Sequence, residues 1–271
     1  HWQFRDNHTG VITITLAEDE NRELVGQCAL RPVRMKIGEK ICLGAQSLDA
    51  MVHPDYRRQG MFTKVATYGY LAAADQGIPL IYGFPNRNSH YVLTHRLKRV
   101  DLWDSPPVFV KILDAKSVMS KRIRNRFLLS VVAPLGKAAL ELLYAFRRGT
   151  LPTDCRLEKV SRFDDCMNEL WEKASIPYGI LVVRNKEYLN WRYVENPTDE
   201  YVLFVAKKYH ETVGYIVLKC EERFGLQIGF IVDMLTAPDE SDVSRGLISE
   251  AVEYFRKQHR DIVSCLMLEH V

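Results

Sequence analysis

The chain contains two copies of one sequence pattern, and this internal repeat constrains the fold more than any other feature. Trp2 and Asn7 near the start have the same spacing as Trp191 and Asn196 much later in the chain. An aromatic residue and a threonine stand at matching offsets in both blocks. Because strand-like hydrophobic segments follow both blocks in one order, we expect two related folding units.

The order of the later landmarks predicts the fold of each unit. The third strand-like segment contains Asp49 in the first copy and Asp233 in the second, and Gly60 and Gly246 follow. Each glycine is expected to open a helix, and an apolar strand closes each copy. A meander followed by a strand–loop–helix–strand crossover builds a mixed sheet. We therefore predict an α/β (α+β) protein with two units, each a mixed, mostly antiparallel sheet with flanking helices.

The domain organisation follows from where the two copies begin and end. We expect one unit over residues 1–115, a basic helical linker over 116–149 and a second unit over 150–271. Strand and helix candidates precede Trp191 but have no counterpart before Trp2. The second copy stops before any counterpart of the residues that follow Tyr82 in the first. We therefore predict that the first unit lacks its N-terminal part here and the second its C-terminal part.

The net charge of +3 hides one basic segment. Residues 116–148 hold eight Lys and Arg against one Glu, so this stretch carries +7 and the rest of the chain −4. A connector packed on the protein with its arginines in water explains this pattern. A bent arm over 121–148 touching an anionic membrane surface is the alternative. We expect no nucleic-acid partner, because no recognised nucleic-acid motif accompanies the charge.

Composition excludes several classes of protein. The chain is 47% hydrophobic and 26% charged, which excludes a disordered polymer. The six cysteines form no CxxC pair and have no nearby histidine at metal spacing, so we expect reduced thiols and no metal site. Reduced thiols favour a cytoplasmic protein.

A short basic loop is the strongest functional signal. A strand ends at Val52, Pro54 breaks it, and Arg57 and Arg58 precede a helix that begins near Gly60. The first amide groups of a helix have no intrahelical partner and carry the positive end of its dipole. Together with two arginines they form a natural site for a diphosphate. A solvated loop before a capped helix is the alternative.

The spacing V-x-P-x-x-R-x-x-G between a strand and a helix resembles the acyl-CoA pyrophosphate loop of the GNAT N-acetyltransferases. Arg57, Gly60 and Phe62 fall on the marked positions of the family pattern Q/R-x-x-G-x-G/A, although Phe62 departs from the usual Gly or Ala. The resemblance covers nearly the whole chain, because both repeats share the family's strand order. It implies acetyl-CoA as co-substrate, held by these residues: Met51, Val52, Arg57, Arg58, Gln59, Gly60, Met61, Phe62, Asn86 and Asn88.

The resemblance also suggests catalytic positions. By position, Met51 or Val52 would supply the backbone N–H that polarises the thioester carbonyl. Asp49 is the nearest carboxylate and a candidate base, with a structural role at a turn or strand edge as the alternative. The family's tyrosine acid falls on Thr94 in this sequence, while Tyr91 lies nearly one turn earlier. Tyr91 could replace it, as could His95, or the thiolate could leave into water.

Only the first copy is expected to bind the cofactor. Asp239, Glu240 and Asp242 stand in the matching loop of the second copy and would repel a diphosphate. We therefore predict an acetyl-CoA-dependent N-acyltransferase that acts on a primary amine of a small molecule or amino sugar by direct attack. The alternatives are an aminoacyl-tRNA-dependent transferase of the peptidoglycan-bridge type and a non-catalytic acyl-CoA- or partner-binding protein.

Overall fold

The computed structural model describes residues 2–10, 13–102, 107–120, 134 and 149–267. The chain divides into two compact units. The first comprises His1–Asp104 and Tyr178–Val183, and the second comprises Ser105–Pro177 and Arg184–Val271. The division expected from the sequence, with boundaries near 115 and 150, stays a prediction, because most of the linker lies outside the described residues.

The first unit is built on a mixed sheet. Its first three strands form an antiparallel meander, and the fourth runs parallel to the third. A fifth strand, from later in the chain, pairs with the far end of the second. Numbered along the whole chain, these strands are β1 (Thr13–Glu18), β2 (Leu24–Ile37), β3 (Lys40–Val52), β4 (Ile81–Gly83) and β7 (Ile180–Val182).

One helix, α1 (Met61–Asp75), covers one face of this sheet. Its buried side is made of small residues and one valine, Val65, Ala66, Gly69 and Ala73. A Cβ built on Gly69 would lie 2.9 Å from the Thr15 hydroxyl of β1. Small residues on this side therefore let the helix backbone approach the sheet closely.

Two short helices follow in the first half of the chain. Asn86 caps helix α2 (Arg87–Tyr91), which continues into a π-helical turn, Val92–Arg96. Helix α3 (Ala115–Ser120) belongs to the second unit.

The second unit has a larger sheet with helices of its own. Its strand order is β5-β11-β10-β9-β8-β6. The strands are β5 (Val108–Ile112), β6 (Cys155–Val160), β8 (Val202–Lys208), β9 (Glu211–Arg223), β10 (Leu226–Thr236) and β11 (Ile262–Leu266). The helices are α4 (Cys166–Ala174), α5 (Lys186–Leu189) with a π-helical turn Asn190–Val194, and α6 (Ser241–Lys257). The predicted architecture, two mixed sheets with flanking helices, is confirmed.

Each sheet includes one strand that lies far along the chain from the strand it pairs with. β5 follows the elements of the first unit in sequence but pairs antiparallel with β11, with Ile112 opposite Ile262. β7 lies between two segments of the second unit but pairs antiparallel with β2, with Val182 opposite Met35. Neither sheet is therefore complete without a strand from a distant part of the chain.

The internal repeat is confirmed in three dimensions. In both copies an antiparallel meander leads through one long helix to a strand parallel to the third meander strand. The blocks before the meander share a turn. The Asn7 side-chain oxygen accepts hydrogen bonds from the amide and the hydroxyl of Thr9, each 2.8 Å. Asn196 accepts the same pair from Thr198 at 2.9 and 2.8 Å.

One landmark of the repeat has a different role from the one expected. Gly60 stands directly before α1, but Gly246 lies inside α6, which begins at Ser241. A Cβ on Gly246 would lie 2.7 Å from Leu151 Cδ2 and 2.9 Å from its Cα. The expectation that Gly246 opens a helix is therefore wrong, and this glycine allows close packing instead.

No helix in the described ranges is long and apolar enough to cross a membrane. The predicted basic arm over 121–148 lies outside the described residues, apart from Pro134.

Candidate functional site

The first unit has an opening between two parallel strands. The pairing of β3 with β4 ends at Ser47 and Gly83, whereas β3 continues to Val52. On its other edge, β3 stays paired with β2 as far as Gly26 opposite Val52. The last five residues of β3 therefore present an edge that β4 does not cover.

A β-bulge lies within this edge. Asp49 and Ala50 together stand opposite Cys28, since Leu48 pairs with Ala29 and Met51 with Gln27. Asp49 has φ +49°, a left-handed conformation that Asp tolerates better than most residues. Its carbonyl accepts a 3.0 Å hydrogen bond from the Gln27 side-chain amide. A bulge bends and twists its strand, which is consistent with β3 and β4 separating here.

The backbone direction distinguishes the two amides proposed for the thioester carbonyl. His53 N–H donates to the Val25 carbonyl of β2 at 2.8 Å. Successive amides of a strand point to opposite sides. Val52 N–H therefore faces the opening, and Met51 N–H faces β2.

The basic loop places further amide groups beside the opening. A 3₁₀ turn, Pro54–Tyr56, is followed by two residues with positive φ, Arg58 at +61° and Gly60 at +80°. The bond from Lys64 N–H to the Gly60 carbonyl, 3.1 Å, starts the helical pattern, so earlier amides point out of the helix end. A Cβ on Gly60 would have no atom within 4 Å. The space in front of this helix end is open.

Hydrogen bonds hold the loop in shape. Arg57 Nε donates to the Val52 carbonyl at 3.0 Å, which places this side chain beside the strand end. Gln59 Nε2 donates to the Asp55 carbonyl at 2.9 Å. Tyr56 donates to the Asp19 carboxylate at 2.8 Å, and this bond raises the pKa of the Tyr56 hydroxyl. The bond also ties the loop to the turn between β1 and β2.

The asparagines predicted to contact a cofactor lie after β4. The Asn86 side-chain oxygen accepts hydrogen bonds from the amides of Asn88 and Ser89, both 3.0 Å. Asn86 therefore acts as the N-cap of α2, which uses its acceptor and leaves its amide donors. Asn88 is exposed in the first turn of this helix.

The candidate acids cluster around the π-helical turn. The Tyr91 and His95 rings stack with centroids 4.3 Å apart. The Thr94 hydroxyl donates to the His90 carbonyl at 2.9 Å. His95 Nδ1 lies 2.9 Å from that hydroxyl oxygen and 3.2 Å from the Tyr91 carbonyl. In the tautomer with its proton on Nδ1, the ring can donate to both oxygens and keeps Nε2 as a proton acceptor.

The candidate base is exposed. Asp49 lies at the bulge, and no hydrogen bond or ion pair joins its carboxylate to another of the described residues. Its side chain is thus accessible from solvent at the edge of the opening.

The repeat partner of Asp49 has a different environment. The side chain of Asp233 is 8% exposed and accepts from Arg184 Nε at 3.0 and 3.2 Å. Its Oδ2 also accepts from the hydroxyls of Tyr193, at 3.1 Å, and Tyr215, at 3.0 Å. Burial, and then the nearby carboxylate, raises the pKa of both tyrosines well above the ordinary value. The sequence showed the repeated aspartate but gave no signal for these three partners.

The loop of the second copy is also different. The carboxylate of Glu240, directly before α6, forms a 2.7 Å ion pair with Lys208 Nζ. The carboxylate of Asp242 lies 3.5 Å from Arg245 Nη1. Two carboxylates thus occupy the region where the first copy has arginines and open amides. Within the described ranges, no three His, Cys, Asp or Glu side chains form a group that could hold a metal ion.

Comparisons with known proteins identify this architecture. Residues 1–96 match the family model described as an acetyltransferase (GNAT) domain. No curated protein sequence matches the chain.

Solved structures match most of the chain at low sequence identity. A GCN5-related N-acetyltransferase from Anabaena variabilis is 14% identical with a TM-score of 0.62, over 93% of this chain and 55% of that one. Saccharomyces cerevisiae N-myristoyltransferase with bound myristoyl-CoA is 11% identical with a TM-score of 0.57, over 91% and 61%. An Enterococcus faecalis protein described as a probable N-acyltransferase is 12% identical with a TM-score of 0.60, over 90% and 52%.

These likenesses show the fold, and the chain spans a little over half the length of the proteins that it matches. Residues 1–96 match an acetyltransferase (GNAT) domain, and the chain as a whole, with its two mixed-sheet units, has the fold of the solved structures that it matches.

Proposed function

We propose that this protein is an acyl-CoA-dependent N-acyltransferase that transfers an acyl group to a primary amine of a small molecule or amino sugar. One observation carries the proposal. The uncovered edge of β3 ends at Val52, and the Arg57–Gly60 loop and the open N-terminus of α1 follow directly. This arrangement offers donors for a thioester at one end and for a diphosphate at the other.

The diphosphate would lie at the start of α1. Amide groups before Lys64 point out of the helix, and Gly60 leaves the space in front of them open. Arg58 is exposed, so its guanidinium is available to a ligand. Backbone donors, the helix dipole and nearby positive charge together favour an anion.

The thioester would lie along the uncovered strand edge. Val52 N–H faces this edge and would donate to the carbonyl oxygen, which becomes negative when an amine attacks the carbon. The new C–N bond forms as the C=O electrons move onto that oxygen, and the C–S bond breaks when they return, so that the thiolate leaves with the electrons of the C–S bond. No covalent enzyme intermediate is needed, because holding the two reactants together supplies much of the rate.

Two groups can take the proton that the acceptor ammonium must lose before its nitrogen attacks. The carboxylate of Asp49 is exposed at the bulge, and His95 presents Nε2 as an acceptor. After protonation, His95 could return that proton to the departing thiolate. Tyr91 stacks on this ring, and Thr94 accepts from Nδ1, which would position it. The sequence-predicted residues Tyr91 and Thr94 would then act through His95.

The structural relatives support a CoA thioester as the donor. One of them holds myristoyl-CoA, and another is a GCN5-related N-acetyltransferase. The resemblance of the basic loop to the GNAT pattern makes acetyl-CoA the first donor to test, and a cytoplasmic protein would have access to it.

The test is calorimetric titration of the protein with CoA. Gly60→Asp places a side chain and a negative charge in front of the helix end, and we expect CoA affinity to fall at least 100-fold. Gly77→Asp is the matched control, because Gly77 also has positive φ, +75°, and open space, but follows the opposite end of α1. Equal CoA affinity in the two variants would refute the assigned site.

A second measurement separates an enzyme from a binding protein. The unmodified protein is mixed with acetyl-CoA or, separately, with decanoyl-CoA and a panel of primary amines, and release of free thiol is followed. Amine-dependent thiol release is expected. CoA binding without thiol release from any amine would indicate a non-catalytic acyl-CoA-binding protein.

A further inference from the structure

We propose that the donor's acyl group is longer than acetyl, and that an apolar mouth formed by Leu48, Met51, Tyr82 and Phe84 binds its chain. This inference rests on the proposed function, because the mouth borders the opening assigned to the CoA thioester. It concerns what is transferred rather than whether transfer occurs.

The residues of the apolar mouth lie on the sheet face turned away from α1. Gly26 is on the α1 face, since a Cβ built on it would lie 3.4 Å from Met61 Cγ. Side chains alternate along a strand, so Gln27 and its partner Met51 lie on the other face. Leu48 pairs with the residue two positions beyond Gln27 and lies on that face as well.

The two aromatic residues reach the same face from β4. Tyr82 pairs with Gln46, which lies two residues before Leu48 on β3 and therefore shares its face. The rings of Tyr82 and Phe84 meet edge to face with centroids 6.2 Å apart. Because the last pair of the two strands is Ser47 with Gly83, Leu48 and Phe84 stand where the strands separate.

Two of these side chains are unusually exposed for their type. Met51 is 61% exposed and Phe84 is 67% exposed, although both adjoin the same opening. Apolar side chains at a cleft are typical of a binding surface for an apolar ligand. None of the four residues of the mouth carries a charge.

The position of the mouth favours the acyl chain over the amine as its occupant. The diphosphate end of the donor lies on the α1 side, so the acyl group emerges from the opening on the opposite face. Met51 directly precedes Val52, whose N–H faces the thioester carbonyl. The first carbons beyond that carbonyl therefore meet Met51. An acetyl group has a single methyl there and would leave Phe84 uncovered.

The experiment compares the affinities of free CoA, acetyl-CoA, hexanoyl-CoA and decanoyl-CoA by calorimetry. Full burial of one methylene corresponds to an increase of about fourfold in affinity. With partial burial of four added methylenes, we expect hexanoyl-CoA to bind about tenfold or more tightly than acetyl-CoA.

Variants of the mouth give the decisive readout, the ratio of decanoyl-CoA to acetyl-CoA affinity. Phe84→Ser and Met51→Ser should each lower this ratio severalfold. Tyr68→Ser is the control, because Tyr68 is 73% exposed on α1 and should leave the ratio unchanged.

Two results would overturn the inference while the proposed function stands. One is equal affinity for all three thioesters, and the other is a length dependence that both mouth variants retain. Failure of free CoA to bind would instead overturn the proposed function, and this inference with it.

Discussion

The two copies of the repeat place the same aspartate in opposite environments. Asp49 is exposed at a bulge of β3, beside an edge that β4 does not cover. Asp233 lies next to a register shift of β10 but is buried, with Arg184 and two tyrosine hydroxyls on its carboxylate. One ancestral position can thus serve an open site in one unit and a closed packing network in the other.

The loops after these strands show the same contrast, with an open arrangement in the first copy and a paired one in the second. In the first copy the chain makes a 3₁₀ turn and then begins α1 after Gly60, with open space before the helix. In the second copy α6 begins directly after Glu240, whose carboxylate is paired with Lys208. A carboxylate at the helix end takes the place that an anionic ligand would need. The second unit thus has an internal ion pair where the first unit has the proposed anion site.

The largest predicted effect tests the buried aspartate. Asp233→Asn removes the negative charge that balances Arg184, and removing one partner of a buried ion pair typically costs about 3–5 kcal/mol. We expect the free energy of unfolding, measured by urea titration, to fall by that amount. Asp49→Asn is the matched variant in the first copy and should change it by less than about 0.5 kcal/mol. Similar losses in both variants would contradict the comparison.

The next-largest effect is a loss of folding stability at low pH, and it depends on a histidine that only the first copy of the repeat contains. Burial, with Arg34 and Arg31 nearby, lowers the pKa of His8 from 6.5 to about 4. The unfolded chain therefore binds this proton more readily, so stability is complete above pH 6.5 and declines as the pH falls toward 4. The loss amounts to at most about 3 kcal/mol. The second copy has Pro197 at this position of the repeat and lacks the titrating group.

His8→Gln should flatten this part of the stability profile. The measurement is the free energy of unfolding at several pH values between 4 and 7, for the unmodified protein and the variant. A slope that is identical in the two proteins would mean that another group titrates.

Periodicity and turn chemistry were sufficient to predict the repeat, the mixed sheets and the basic loop. Each of these features depends on residues close together in sequence, such as Pro54 and the arginines before Gly60. The resemblance to the GNAT family followed from the same local pattern, and the family model confirms a GNAT domain over residues 1–96.

Features that depend on contacts between residues far apart in the chain could not be predicted from the sequence. Strands β5 and β7 are short hydrophobic segments, and their own residues do not indicate which strand each one pairs with. β5 pairs with β11, and β7 pairs with β2. The partners of Asp233 lie 18 to 49 residues away in the chain. Gly246 was misinterpreted for the same reason, because its packing partner Leu151 is remote in sequence.

The smallest predicted effect uses the two repeat glycines. Gly246→Ala adds a Cβ within 3 Å of Leu151, and overpacking of this kind typically costs about 1–3 kcal/mol. The Cβ added by Gly60→Ala has no atom within 4 Å, but a side chain at this positive φ is strained, which costs about 1 kcal/mol.

The two losses of stability overlap in size, so CoA affinity is the second measurement that distinguishes the variants. Gly60→Ala should weaken CoA binding because its Cβ lies in front of the helix end. Gly246→Ala should leave CoA affinity unchanged at temperatures where the protein stays folded, since α6 starts with carboxylates. If Gly246→Ala weakened CoA binding as much as Gly60→Ala, the second copy would have to be assigned a role in binding.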